Sequence, residues 1–185
     1  MKVLGISGSL RRDAHNAALL RAAAELLPDG VELELWDGLK AVPPYDEDDD
    51  VEPAPAAVAD LRDAIAGADA ILIATPEYNH SIPGQLKNAL DWASRPLATN
   101  PLRNKPVAVV GASTGAFGAV WAQAELRKVL AATGARVVEG EVALGHAHTK
   151  FDVDGRLTDE PLNEALAEVV DALVTVTRAR DLLAA

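Results

Sequence analysis

The sequence predicts an α/β fold in which a parallel sheet is wound by helices on both faces. Three observations carry that prediction. Short apolar runs alternate with segments of helical period along the whole chain, the pattern of repeated βαβ units. Residues 70–74 (Ala-Ile-Leu-Ile-Ala) are apolar at every position, as a strand buried on both faces must be. Pro28-Asp29-Gly30, Gly67 and Gly134 stop the helical segments.

In chain order, residues 2–6 form a short, mostly apolar first strand, followed by a linker over 7–13. Residues 14–27 are rich in Ala and Leu, with Ala17, Leu20, Ala24 and Leu27 on one helical face. Residues 31–35 alternate apolar and acidic, which predicts a half-exposed strand. A long loop covers 37–55, with Pro43, Pro44, Pro53 and Pro55 around an acidic run at 46–50. A second helix is predicted over 56–66, a central strand over 70–74 and a third helix over 84–94. A strand at 107–110, a helix over 119–132 and a short strand at 136–138 follow. The final helix covers 159–183, its apolar face built from Leu162, Leu166, Val169, Val170, Leu173 and Val176. No repeat or internal boundary stands out, so residues 1–185 read as one domain. Five parallel strands with helices on both faces is the flavodoxin-like, doubly wound arrangement. Right-handed crossovers then gather the strand C-termini on one edge, where ligands bind at the point of strand-order reversal.

Composition narrows the function. The 185 residues are 49% hydrophobic and 24% charged, an ordinary balance for a globular chain with a real core. No apolar run has the length a bilayer needs, and the N-terminus reads as a strand, not a signal peptide. There are no cysteines, which excludes disulfides, thiolate clusters and a cysteine nucleophile, and fits a cytoplasmic protein. A net charge of −11 repels nucleic-acid phosphates and anionic membrane surfaces.

The informative motifs lie in the three loops that leave the predicted edge after Ile6, Ala74 and Val110. The first, residues 5–16, joins a strand to a helix N-terminus, where free N–H groups and the helix dipole favour an anion. Ser9 and Asn16 add neutral donors, and Arg11 or Arg12 a planar fork suited to phosphate. The segment is neither a Walker A sequence nor G-x-G-x-x-G, which disfavours the usual dinucleotide site. Asp37, after the second strand, stands where a ribose-binding acid would, although a surface acid is the plainer reading. In the second loop, 75–84, two prolines restrict the turn and fix amide directions toward the edge of a planar heterocycle. Tyr78 would pack beside such a ring and Asn79 would meet its polar edge. The third loop, 111–118, is made of small residues that let a flat ligand approach the backbone. It also matches Gly-x-Ser-x-Gly, with His146 and His148 downstream in hydrolase order. The acid of such a triad, Glu139 or Glu141, has no distinctive context, and the chain is short for that fold.

Gly8-Ser9-Leu10-Arg11 with Asn16, then Pro76-Glu77-Tyr78-Asn79 running into residues 81–92 (Ser-Ile-Pro-Gly-Gln-Leu-Lys-Asn-Ala-Leu-Asp-Trp), resemble the NADPH-dependent FMN reductase family, whose members include chromate, quinone and azo-dye reductases. The resemblance runs from the first strand to the last helix and implies a flavodoxin-like fold. It implies that Ser9, Leu10, Arg11 and Asn16 hold the FMN phosphate. Pro76, Glu77, Tyr78 and Asn79 would line the isoalloxazine, and Ala112 and Ser113 would meet the flavin or its ribityl chain. The family often has a hydroxyl residue where Ala112 stands, so a polar contact there must come from backbone. The implied activity is ping-pong transfer from NADPH or NADH through the flavin to a small-molecule electron acceptor, in a homodimer or homotetramer. No side chain is assigned as a general acid, and Glu77 reads as a structural or oligomer contact.

Other features have plainer readings. His146 and His148 lack a third metal ligand. The acidic run lacks calcium-loop spacing and reads as a solvated surface. Leu90, Trp92 and Trp121 read as core or subunit interface. The competing function class is an FMN electron carrier without NAD(P)H turnover, which would share fold, cofactor and charge.

Overall fold

The computed structural model describes residues 1–184, the side chain of Ala184 excepted. Its strands are β1 (Lys2–Ser7), β2 (Glu32–Trp36), β3 (Ala70–Thr75), β4 (Pro106–Ala112), β5 (Arg136–Val137) and β6 (Ala143–Leu144). Its helices are α1 (His15–Glu25), α2 (Ala56–Ala66), α3 (Gly84–Ala93), α4 (Val120–Ala132) and α5 (Glu160–Ala184). The strand order is β2-β1-β3-β4-β5, with every pairing parallel and β6 also paired to β4. That is the doubly wound order, reversing between β1 and β3.

Strand alternation separates two cores. Leu4 and Ile6 of β1, Ile71 and Ile73 of β3, and Val107 and Val109 of β4 pack against α2, α3 and α4. The opposite face carries Val3, Ala70, Leu72, Ala74, Ala108, Val110 and Ala112, and packs against α1 and α5. Alanine is concentrated on the strands of this second face, at 70, 74, 108 and 112. β3 is buried at every residue, as its apolar run predicted, and β4 is buried throughout as well.

Helix α1 stops at Glu25, two residues earlier than predicted, because Leu27 precedes Pro28 and is steered away from helical geometry. The fifth sheet position is split. After β5, the Val138 amide still donates to Val107 O at 2.8 Å, and the chain then detours before β6 returns to β4. The buried Gln123 amide and the Arg127 guanidinium of α4 satisfy carbonyls in that detour at Val142 and Gly140.

The loop over 37–55 contains two 3-10 turns, Gly38–Ala41 and Glu47–Asp49. Helix α3 pins it. Gln85 donates to Leu39 O and Val42 O at 2.9 and 2.8 Å, while Asn88 and the Trp92 indole donate to Pro43 O at 2.8 and 2.9 Å. Gln85, Asn88 and Trp92 therefore hold this loop, and Trp92 is fully buried core.

Candidate functional site

The loops after β1, β3 and β4 converge on one sheet edge, as predicted, and two side chains bind them together. Asn16, in the first turn of α1, is 3% exposed. Its amide pairs both ways with Ala112: Nδ2 donates to the Ala112 carbonyl and Oδ1 accepts from the Ala112 amide, each at 3.0 Å. This joins the first loop to the third. Glu77 joins the second loop to the third. Its Oε2 accepts from the Trp121 and Ala122 amides at 3.1 and 3.2 Å. Ala119, the N-cap of α4, offers no side-chain cap and is left-handed at φ 63°, so Glu77 supplies the missing acceptor from across the site.

Within the first loop, Gly8 donates to Ala74 O at 2.8 Å. A Cβ on Gly8 would lie 2.9 Å from Leu86 Cδ2 and 3.2 Å from Pro76 Cδ, so a larger residue would push on α3 and on the second loop there. The following helix end is open. No side chain caps α1 and no acid lies in its first turn. Its orphan N–H groups and dipole face the cleft beside Arg11, whose guanidinium donates to Asp13 O at 2.8 Å.

The second loop holds a two-residue turn. The Tyr78 and Ser81 backbones exchange hydrogen bonds at 3.0 and 3.1 Å, and Asn79 and His80 both take positive φ, 53° and 60°. That is a type I′ geometry built without glycine, at an Asn that tolerates it and a His held by its ring against Trp121, centroids 4.7 Å apart. Tyr78 is 55% exposed beside the cleft, and Phe117 and Trp121 extend the aromatic surface.

Ser9, Arg11, Asn16, Pro76, Glu77, Tyr78, Ala112 and Ser113 all line one cleft of about 560 Å³ that is open to solvent. Asn79 sits exposed at the turn tip, and Leu10 faces a neighbouring cleft. Three lining residues were not among the sequence candidates: Ala14, His15 and Thr114. His15 has a local signal, a polar ring in the first turn of a helix that follows the anion-binding loop. Its ring stacks on Phe151, centroids 6.3 Å apart. Burial, then the charges of Arg11 and His148, hold its pKa below the ordinary histidine value.

Ser113 Oγ accepts from the Gly115 amide at 3.1 Å, and among the described residues it has no hydrogen bond to a histidine. The helix after β4 begins only at Val120, so Ser113 does not occupy the tight strand-to-helix turn of a nucleophile elbow. Among the described residues no group of three or more His, Cys, Asp or Glu could hold a metal ion.

Comparison with known proteins agrees with the fold and the loops. The family described as NADPH-dependent FMN reductase matches residues 1–149. An NAD(P)H-dependent FMN reductase of Pseudomonas aeruginosa is 45% identical over 174 residues, 94% of this chain and 93% of that protein. A 2-hydroxy-1,4-benzoquinone reductase of a Burkholderia species is 37% identical, covering 97% and 98% of the two chains. Among solved structures, the flavoenzyme NAD(P)H:(acceptor) oxidoreductase FerB of Paracoccus denitrificans superposes with a TM-score of 0.86 at 37% identity, covering 96% and 97%. With its flavodoxin-like sheet and the three motif-bearing loops at the sheet's ligand edge, the chain belongs to the NADPH-dependent FMN reductase family and is an oxidoreductase.

Proposed function

We propose that the three-loop cleft holds FMN and that the protein passes reducing equivalents from NAD(P)H to a small acceptor such as a quinone, chromate or an azo dye. The observation that carries this reading is the uncapped N-terminus of α1, with Arg11 beside it, opening into a cleft whose other walls are a rigid turn and small residues. The residues fit FMN. One terminal phosphate is matched by one helix N-terminus and one guanidinium. The ring is matched by a slot whose one lining acid, Glu77, is already committed to capping α4. Bound FMN supplies the hydride acceptance and electron delivery that no side chain here provides.

The chain's own residues bind and orient. Arg11 and the first turn of α1 hold the phosphate. The turn at Tyr78–Ser81 keeps the Pro76–Asn79 backbone fixed along the ring edge. Asn16 and Glu77 act as positioning residues that keep the loops in register. Because Asn16 spends both ends of its amide on Ala112, it supports the phosphate site more than it donates to it. No nucleophile or general acid is needed.

The exposed Tyr78, Phe117 and Trp121 beside the cleft support assembly as a homodimer or homotetramer. No helix among the described residues is long and apolar enough to cross a membrane. A cytoplasmic location rests on the absence of cysteine, and one domain over the whole chain on the single continuous sheet.

Flavin released from purified protein should be FMN on chromatography, because the first loop closes around one phosphate and no second glycine-rich stretch exists for an adenylate. Recovery of mainly FAD would overturn the site. Loss of NADPH absorbance on adding a quinone should follow, and its absence with FMN bound would leave an electron carrier.

A pH dependence follows from His15. A phosphate dianion beside the ring favours imidazolium, so FMN binding takes up a proton and affinity rises as pH falls. The phosphate loses charge near pH ~6 in any protein, so the comparison is with His15→Gln. The ratio of the variant's Kd to the wild type's should grow between about pH 8 and about pH 6. A constant ratio would place the phosphate away from His15.

A further inference from the structure

His15 lines the first cleft from the first turn of α1, and the ring that meets it comes from the other end of the chain. The imidazole lies parallel to the Phe151 ring, with 5° between the planes and centroids 6.3 Å apart. An offset stack of this kind fixes the orientation of a ring and shields one of its faces from water. Phe151 is half-buried and packs on the core that α1 and α5 share. It lies beyond residues 1–149, the span matched to the family.

A short hairpin presents this ring. Phe151 and Leu157 form an antiparallel bridge, and the Asp152 amide donates to Arg156 O at 3.0 Å. Asp152 also ties the turn: its Oδ1 accepts from the Asp154 and Arg156 amides at 2.9 Å each, and Gly155 takes φ 81°. The base is anchored to α5. Lys150 pairs with Asp159, and Asp159 Oδ1 accepts from the Leu162 amide at 3.2 Å. With turn and base both bonded, the hairpin sets the Phe151 ring against His15.

The charged groups around His15 are Arg11 on the first loop and His148 on the 3-10 turn Ala147–Thr149, with Glu77 across the cleft. Burial opposes a charge on the imidazole first, then Arg11 and His148. Glu77 is spent on the amides that open α4. A phosphate dianion arriving beside the ring reverses that balance. We propose that Phe151 is a positioning residue for the cofactor: stacked on His15, it keeps the imidazole dry and in one orientation at the phosphate end of the cleft, so that FMN binding draws a proton from solvent onto the ring. The inference rests on the reading of the first cleft as the flavin site. Leucine at 151 keeps apolar bulk and loses the flat face. Water then reaches the imidazole, His15 charges at higher pH in the free protein, and less proton is left to be taken up when FMN arrives.

Two readouts test this. The first needs no flavin: NMR titration of the apoprotein, with the His15 signal identified by its loss in His15→Gln. Phe151→Leu should move the His15 midpoint upward, toward the ordinary histidine value, and Phe151→Tyr should leave it in place. The second is proton uptake, measured by calorimetric titration of apoprotein with FMN in buffers of different ionisation enthalpy. Uptake near pH ~7 should fall in Phe151→Leu toward the His15→Gln level and be retained in Phe151→Tyr. Asp152→Ala, which loosens the turn and touches neither ring, should act in the same direction as Phe151→Leu. A hairpin that only braces the fold would lower the denaturant midpoint of these variants and leave titration and uptake as in the wild type, which would overturn the proposal. An upward shift of His15 in Phe151→Leu, with no proton uptake by wild type on binding FMN, would instead overturn the placement of the phosphate beside His15 and leave the ring contact standing.

Discussion

Asn16→Ala is expected to destabilise the protein by about 2–6 kcal/mol, since it strands both the amide and the carbonyl of Ala112 in a buried position, and each lost partner costs ~1–3 kcal/mol. The effect should appear as a lower denaturant midpoint with an unchanged slope. FMN affinity should fall as well, because the first and third loops lose their shared register. Asn16→Asp separates the two halves of the contact. It keeps an acceptor for the Ala112 amide but sets a carboxylate oxygen against the Ala112 carbonyl, so it should be at least as damaging as alanine. Near-normal stability in both variants would show that the loops are held elsewhere.

Arg11→Ala is expected to do the reverse, leaving the fold alone and weakening the cofactor. The side chain is exposed and its one hydrogen bond among the described residues is to the Asp13 carbonyl, so stability should change by no more than about 0.5 kcal/mol. A charge-assisted bond to phosphate is worth roughly 1.5–3 kcal/mol, or about ten- to a hundredfold in Kd. Titration of apoprotein with FMN, followed by flavin fluorescence, reads the change directly. An unaltered Kd would move the phosphate off the first loop.

The contrast between these two residues marks what the sequence could reveal. A phosphate ligand at Arg11 or Arg12 could be proposed from sequence because it depends only on neighbours, a strand, a polar turn and a helix start, and the family resemblance then singles out Arg11. Asn16 stood out for the same reason, but its partner lies 96 residues away, and nothing local says that its amide turns back onto β4. Glu77 is similar. A structural contact was expected for it, yet the open end of α4 that it caps lies more than forty residues on. Among the elements, α2 was read at its true bounds because Pro55 and Gly67 flank it. β4 runs two residues past its predicted end, because Gly111 and Ala112 look like loop by composition and become strand by distant pairing, Gly111 with Thr75 of β3 and both residues with β6. β6 itself is a dipeptide in a glycine-rich stretch and carries no period to detect. The polar members of the segment 85–92 drew attention as part of a family motif. Their role in holding the 37–55 loop required that loop to be folded over them.

The interrupted fifth strand bears on how the molecule behaves at high concentration. A sheet margin is a template for another chain only if it offers a long, regular row of free amides and carbonyls. Here one margin is two dipeptides separated by a detour whose carbonyls are taken by Gln123 and Arg127. The other is β2, five residues long, with exposed Glu32 and Glu34 projecting from it. Neither can zip onto a copy of itself without breaking side-chain bonds or stacking like charges. Growth into fibrils by strand addition is thereby blocked at both ends, and copies of this chain are left to meet through helices and loops.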